Sequence, residues 1–192
     1  VANESFEFVS RNFPKSPSRF DAQLWLAKSH VFAGRYQRAD LVLTSLEPFV
    51  DRGETSKDVK RMFPLVKADY LIRNGQYNLA AEYLEKALAV KQNRKTRIRI
   101  NFIAGQLNQK LGNNQKAINF YLNTIKLNPP YEFAFHARLF AAECYDTSSG
   151  KNESILTELN KMLKDSKNAD YLDRIYYALA NIELKKNNKE KA

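Results

Sequence analysis

A chain of 192 residues with 44% hydrophobic and 27% charged side chains can bury a sizeable core as one domain or one repeat array. It has no apolar run of about 18 residues, so nothing in it reads as a membrane-spanning helix. The single Cys144 excludes an internal disulfide and leaves the redox compartment open. The net charge is +10, from 31 basic and 21 acidic side chains, a balance that attracts anionic partners. The chain opens at Val1 and shows no signal peptide or lipidation cysteine near that point, so it reads as an excised piece of a longer protein.

In chain order, residues 4–12 read as a short helix with Phe6 and Val9 on one side, closed by Phe13-Pro14. The next helix spans about 18–33 and turns at Gly34-Arg35-Tyr36 into a partner over 37–49, with Pro48 marking its end. After the loop at 51–55, a helix runs over 56–73 with Pro64 at a kink. It turns at Asn74-Gly75-Gln76-Tyr77 into a helix over 79–90. A basic segment, Lys91 to Arg99, leads into a central hairpin over 98–130. One helix of that hairpin carries Ile98, Phe102, Ile103, Gly105, Leu107 and Leu111 on one apolar stripe; the other carries Ala117, Ile118, Tyr121, Leu122 and Ile125. Gly112 supplies the left-handed turn between them, and Pro129-Pro130 stops the second. Further helices are expected over about 131–145, 153–163 and 170–186, with a loop at 146–152 and a turn at 165–168. No segment alternates with period two for long enough to be a strand.

One hairpin cannot bury both its apolar stripes, and the chain supplies neighbours by repetition. Gly34-x-Tyr36-x-x-Ala39, Gly75-x-Tyr77-x-x-Ala80 and Gly112-x-Asn114-x-x-Ala117 share one spacing, and Asn187-x-Lys189-x-x-Ala192 is a weaker copy. The marker alanines lie 41, 37 and 75 residues apart, the last interval being close to a double one. A period in this range means stacked helical hairpins, with small residues where two helices cross closely.

These residues resemble the tetratricopeptide repeat. The third copy offers Gly105, Gly112, Ala117, Tyr121 and Pro129; the second offers Ala68, Gly75, Tyr77, Ala80, Leu84 and Ala87; the first offers Leu26, Ala27, Gly34, Tyr36 and Ala39. Asn101 and Pro64 stand where that family often has tryptophan, and the repeats run longer than is usual for it. The resemblance implies an all-α, right-handed α-solenoid of helix-turn-helix repeats. Residues 1–17 would form an N-terminal cap, and 18–192 about five hairpins, the last truncated. It further implies a groove lined by the first helix of each hairpin. Counted from the motif positions, its lining is Leu24, Lys28 and Phe32; then Leu65, Asp69, Ile72 and Arg73; then Arg99, Phe102, Gln106, Gln109 and Lys110. Some of these, Phe102 first, read equally well as core. A narrower resemblance rests on Leu107 to Gly112, Lys126 to Glu132 and Phe135-His136-Ala137-Arg138. It is to the repeat region of PorW/SprE-type lipoproteins of gliding motility and type IX secretion. That likeness implies a periplasmic scaffold, anchored to the outer membrane in the full-length protein; the alternative is a cytoplasmic peptide-binding or chaperone-type adaptor.

Nothing in the sequence points to catalysis. His30 and His136 sit among apolar helix residues with no Cys or Asp at ligand spacing, and Cys144 reads as a core thiol. Glu82, Glu85 and Glu158 read as solvated. No phosphate loop, nucleophile elbow, metal-binding cluster or cofactor motif is present, so no catalytic residue, metal or cofactor is expected. Between Glu85 and Glu132 there is no acidic residue at all, while Lys91, Arg94, Lys95, Arg97, Arg99, Lys110 and Lys116 fall in that gap. This basic patch is either a solvated face or a docking surface for an acidic protein segment. Nucleic acid ranks below an acidic protein, because Phe102, Phe120 and Tyr121 sit at core spacing rather than forming a stacking platform.

Overall fold

The computed structural model describes residues 2–147 and 152–186, and the weaker marker at 187–192 lies outside them. Every regular element in that range is helical, and no strand occurs among the described residues. The chain adopts the all-α, tetratricopeptide-like helical-repeat architecture expected from the sequence. It divides into two compact units at Gln92 and Asn93.

The first unit holds α1 (Ala2–Asn12), α2 (Arg19–Phe32), α3 (Tyr36–Asp51), α4 (Lys57–Arg73) and α5 (Tyr77–Ala89). Helices α2 and α3 form one hairpin and α4 and α5 the next, with α1 packed on α2. The second unit holds α6 (Arg94–Lys110), α7 (Asn114–Lys126), α8 (Tyr131–Glu143), α9 (Asn152–Lys164) and α10 (Leu172–Lys185), paired in the same order.

The three marker turns are built alike. Gly34, Gly75 and Gly112 have φ of 70°, 73° and 76°, the left-handed region that a Cβ disfavours. At each, the following residue's N–H bonds back across the turn: Arg35 to His30 O at 2.9 Å, Gln76 to Leu71 O at 2.9 Å, and Asn113 to Asn108 O at 2.8 Å. This closure satisfies carbonyls that a helix end leaves open and fixes the chain reversal. It delivers Ala39, Ala80 and Ala117 to the helix crossing, where all three are fully buried.

The tightest crossing is in the second unit. A Cβ built on Gly105 would lie 2.5 Å from Cε1 of Tyr121, so only glycine fits against that ring. Tyr121 is itself fully buried, among Phe102 and Phe140 at centroid distances of 6.0 and 5.8 Å. In the first unit, Lys67 is a buried cation from α4, 3.7 Å from Glu47 and 3.9 Å from Asp40, both on α3. Tyr83 of α5 donates to the same Glu47, so one polar cluster joins three helices.

Several local expectations are corrected. Helix α3 does not stop at Pro48 but runs to Asp51. Pro48 and Thr44, whose carbonyl loses a donor to the proline, are both solvent-exposed, while Leu46 anchors that turn in the core. Helix α6 starts at Arg94 rather than near Ile98, because the Asn93 side chain accepts the Thr96 N–H at 2.8 Å and caps it there. The stretch read as a turn after α9 forms a 3-10 helix, Ser166–Tyr171, before α10 begins.

Glu158 is not a solvated carboxylate. Its side chain is 15% exposed, 2.8 Å from Arg138 Nε on α8 and 2.7 Å from Lys161 Nζ. Burial pushes its carboxyl up, but the hydrogen bonds from Lys161 and Arg138 outweigh that and hold it below the usual range. A depressed native pKa gives stability that is present above the unfolded carboxyl's ordinary value and lost as pH falls through the native one. Thermal denaturation is therefore expected to show a larger loss between pH 7 and pH 4 for the native chain than for Glu158→Gln; equal losses would show that the pair adds nothing.

Candidate partner-binding surfaces

In the first unit, α2 buries Phe20, Leu24, Ala27 and Val31 and turns Trp25, Lys28 and Phe32 outward. Trp25 is 46% exposed and Phe32 86% exposed. The Lys28 ammonium sits 4.5 Å from the Trp25 ring centroid, a cation–π contact. Leu24, Trp25, Met62 and Val66 help line a cavity of about 250 Å³ between α2 and α4. On α4, Leu65 and Ile72 are half-buried, and Asp69 is held by Arg73 at 2.9 Å. Of the residues counted for this part of the groove, Leu24 is in the core at 5% exposure, and the rest line the outer sides of α2 and α4. Trp25 was not among them. Spacing by four residues slips about 40° round a helix at each step, so the row Phe32, Lys28, Leu24 drifts into the core one residue short of Trp25. The Trp25, Lys28, Phe32 spacing carries the better register.

In the second unit, α6 buries Ile98, Ile100, Asn101, Ala104, Gly105, Leu107 and Asn108. Asn101 and Asn108 are accommodated because each donates to the carbonyl four residues back, at 2.8 Å. The opposite side carries Lys95, Arg99, Ile103, Gln106 and Lys110, a stripe that helix rise makes about 22 Å long. Phe102 and Gln109 sit at its border. The Phe102 ring packs 5.2 Å from Phe133 and 5.9 Å from Phe140, so it belongs to an aromatic cluster as well as to the rim. Gln109 accepts from the Tyr121 hydroxyl at 2.7 Å and donates to Glu143 at 2.9 Å, linking α6, α7 and α8. Ile103, expected on the apolar stripe of this helix, faces outward instead, 37% exposed, because it lies about 100° round the helix from Phe102.

The structure divides the basic patch. Lys95, Arg99 and Lys110 share the outer stripe of α6. Arg97 is exposed but lies about 160° round the helix from Arg99. Arg94 donates from Nε to Leu127 O at 2.8 Å and also reaches Asn128 O, so it caps the end of α7. Asn128 there has φ of 53°, in the left-handed region common where a helix ends. Lys116 stands on the solvent side of α7, and Lys91 falls in the first unit.

The two histidines and the cysteine pack among neighbouring side chains. His30 is 2% exposed, and burial followed by Arg38 and Arg35 outweighs Glu7 to hold its imidazole below the ordinary range. His136 lies between the rings of Phe135 and Phe140. Burial pushes the Cys144 thiol up to about 11. Among the described residues no cluster of three metal-ligating side chains forms, and no helix is long and apolar enough to cross a membrane.

The tetratricopeptide repeat family matches residues 65–94 and 98–131, about a third of the chain. The first match takes in about half of α4 and all of α5; the second takes in most of α6 and all of α7. These two hairpins are similar to tetratricopeptide repeats. They are the second and third copies of the sequence marker, and the match supports a tetratricopeptide repeat family for the chain. The α2–α3 hairpin carries the same turn geometry outside the matched segments. The search of curated proteins gave no match.

Proposed function

We propose that this chain is a non-enzymatic protein–protein interaction scaffold that grips a partner segment along the outer faces of the first helices of its hairpins. The observation that carries the reading is the α6 stripe: cations at Lys95, Arg99 and Lys110 flank the exposed Ile103, and neither α6 nor α7 contains an acidic residue. An apolar anchor between basic groups is complementary to an amphipathic segment with acidic flanks. Trp25 and Phe32 in the first unit add large exposed aromatic surface of the kind that dominates binding energy at interfaces.

The finer placement is within a bacterial envelope assembly for gliding motility or type IX secretion, as part of a periplasmic lipoprotein. Its support is the local sequence likeness at Leu107 to Gly112, Lys126 to Glu132 and Phe135 to Arg138. The cytoplasmic adaptor reading uses the same surfaces. One experiment addresses both levels: immobilised chain, native and Lys95→Glu/Arg99→Glu, is offered separately to the envelope and cytosolic fractions of the source organism. The reading expects a protein retained by the native chain and lost with the charge reversal, and the envelope placement expects it in the envelope fraction. Identical retention by both proteins would refute the docking role of α6.

A further inference from the structure

A cleft of about 1040 Å³ in the second unit runs between α8 and α10 rather than along the basic stripe. Its apolar wall is Leu139, Ala142, Ala178 and Leu184. Tyr177 stands in it 72% exposed. The charged residues of the lining, Glu143 and Asp173 against Arg174 and Lys185, cancel formally, so preference is decided by which groups have unused capacity. The two cations are engaged. Lys185 donates from Nζ to Glu143 O at 2.9 Å and to Tyr145 O at 3.0 Å, capping the end of α8. The Arg174 guanidinium lies 5.5 Å over the Phe135 ring. Asp173 takes part in no ion pair among the described residues. What the cleft offers a visitor is therefore a carboxylate, an open tyrosine face and an apolar wall. A carboxylate beside an aromatic ring suits a guanidinium or ammonium head, with its methylene stem on the ring and wall.

We infer that the cleft between α8 and α10 takes an arginine or lysine side chain of a bound protein segment. Its head lies between Asp173 and the Tyr177 ring, and a neighbouring apolar residue rests on Leu139, Ala142 and Leu184. This rests on the interaction reading above, and it assigns the cleft a preference opposite to that of α6 and to the net charge of the chain. A partner that spans both surfaces would be acidic where it crosses α6 and basic where it reaches α10.

The test is selection from a phage-displayed random peptide library on the 192-residue chain. Binding of the selected peptides is then measured on the native chain, on Asp173→Asn/Tyr177→Ala and on Lys95→Glu/Arg99→Glu. The substituted side chains are exposed in both variants, so the fold is retained, and circular dichroism checks it. The inference expects a class of peptides with Arg or Lys beside an apolar residue, weakened about tenfold or more by Asp173→Asn/Tyr177→Ala and unaffected by Lys95→Glu/Arg99→Glu. If selected peptides respond only to Lys95→Glu/Arg99→Glu, or those lost with Asp173→Asn/Tyr177→Ala are acidic, the cleft assignment falls and the interaction reading stands. If no peptide is enriched, both fall.

Discussion

Gly105→Ala is expected to destabilise the second unit by about 2 kcal/mol, a typical cost of overpacking a filled core. Helix propensity predicts the opposite sign, a gain of about 1 kcal/mol for alanine over glycine inside a helix. The clash wins because the new Cβ would sit 2.5–2.9 Å from three ring atoms of Tyr121, and that ring has nowhere to go. It is fully buried, with Phe102 and Phe140 against it and its hydroxyl bonded to Gln109. Urea denaturation of Gly105→Ala, Tyr121→Leu and the double variant checks the mechanism as well as the sign. The penalty of Gly105→Ala should shrink or reverse once the ring is gone, a non-additivity of about 1–2 kcal/mol. Additive effects would mean that the glycine serves some purpose other than making room for tyrosine.

Lys67→Ala should cost the first unit about 3 kcal/mol and Lys67→Met about 2 kcal/mol, because both remove the cation shared by Glu47 and Asp40 and only methionine keeps the packing of the stem. Alanine removes the cation beside Glu47 and Asp40 and the methylene stem that fills the space, leaving Glu47 with Tyr83 alone. Methionine keeps most of the stem. Burial, then the hydrogen bond to Glu47 and its charge, holds the Tyr83 hydroxyl well above its ordinary value, so it remains a donor across the working pH range. Equal midpoints for the two variants would assign the whole effect to charge; a native-like Lys67→Ala would show that the cluster contributes nothing.

The fold was legible because its determinants are local. The glycines at 34, 75 and 112 mark left-handed turns, and the alanines at 39, 80 and 117 mark the crossings they lead to. Turn chemistry and small-residue spacing are written within a few residues, so they survive reading without coordinates. The candidate surfaces were less legible for a geometric reason. A one-residue shift rotates a side chain by 100° about a helix, enough to exchange the buried Leu24 for the exposed Trp25, or the clustered Phe102 for the outward Ile103.

The basic patch failed to separate in sequence for a different reason. Arg94 is adjacent in the chain to Lys95 but spends its donors on carbonyls 33 and 34 residues away, at the end of α7. Glu158 was read as solvated for the same reason: its partner Arg138 is on another helix, 20 residues earlier. The α8–α10 cleft lies where the marker repeat is missing, so no motif pointed to it.

The claim that the outer faces of the first helices hold the partner is tested most directly by photo-crosslinking in the source organism. A benzophenone amino acid is placed at Ile103 on the outer stripe of α6 in one protein and at Lys116 on the solvent side of α7 in another. Ultraviolet irradiation of the first should yield a discrete protein adduct, diminished when Lys95→Glu/Arg99→Glu is introduced alongside, and irradiation of the second should not yield that adduct. An adduct formed from position 116 and absent from position 103 would contradict the account.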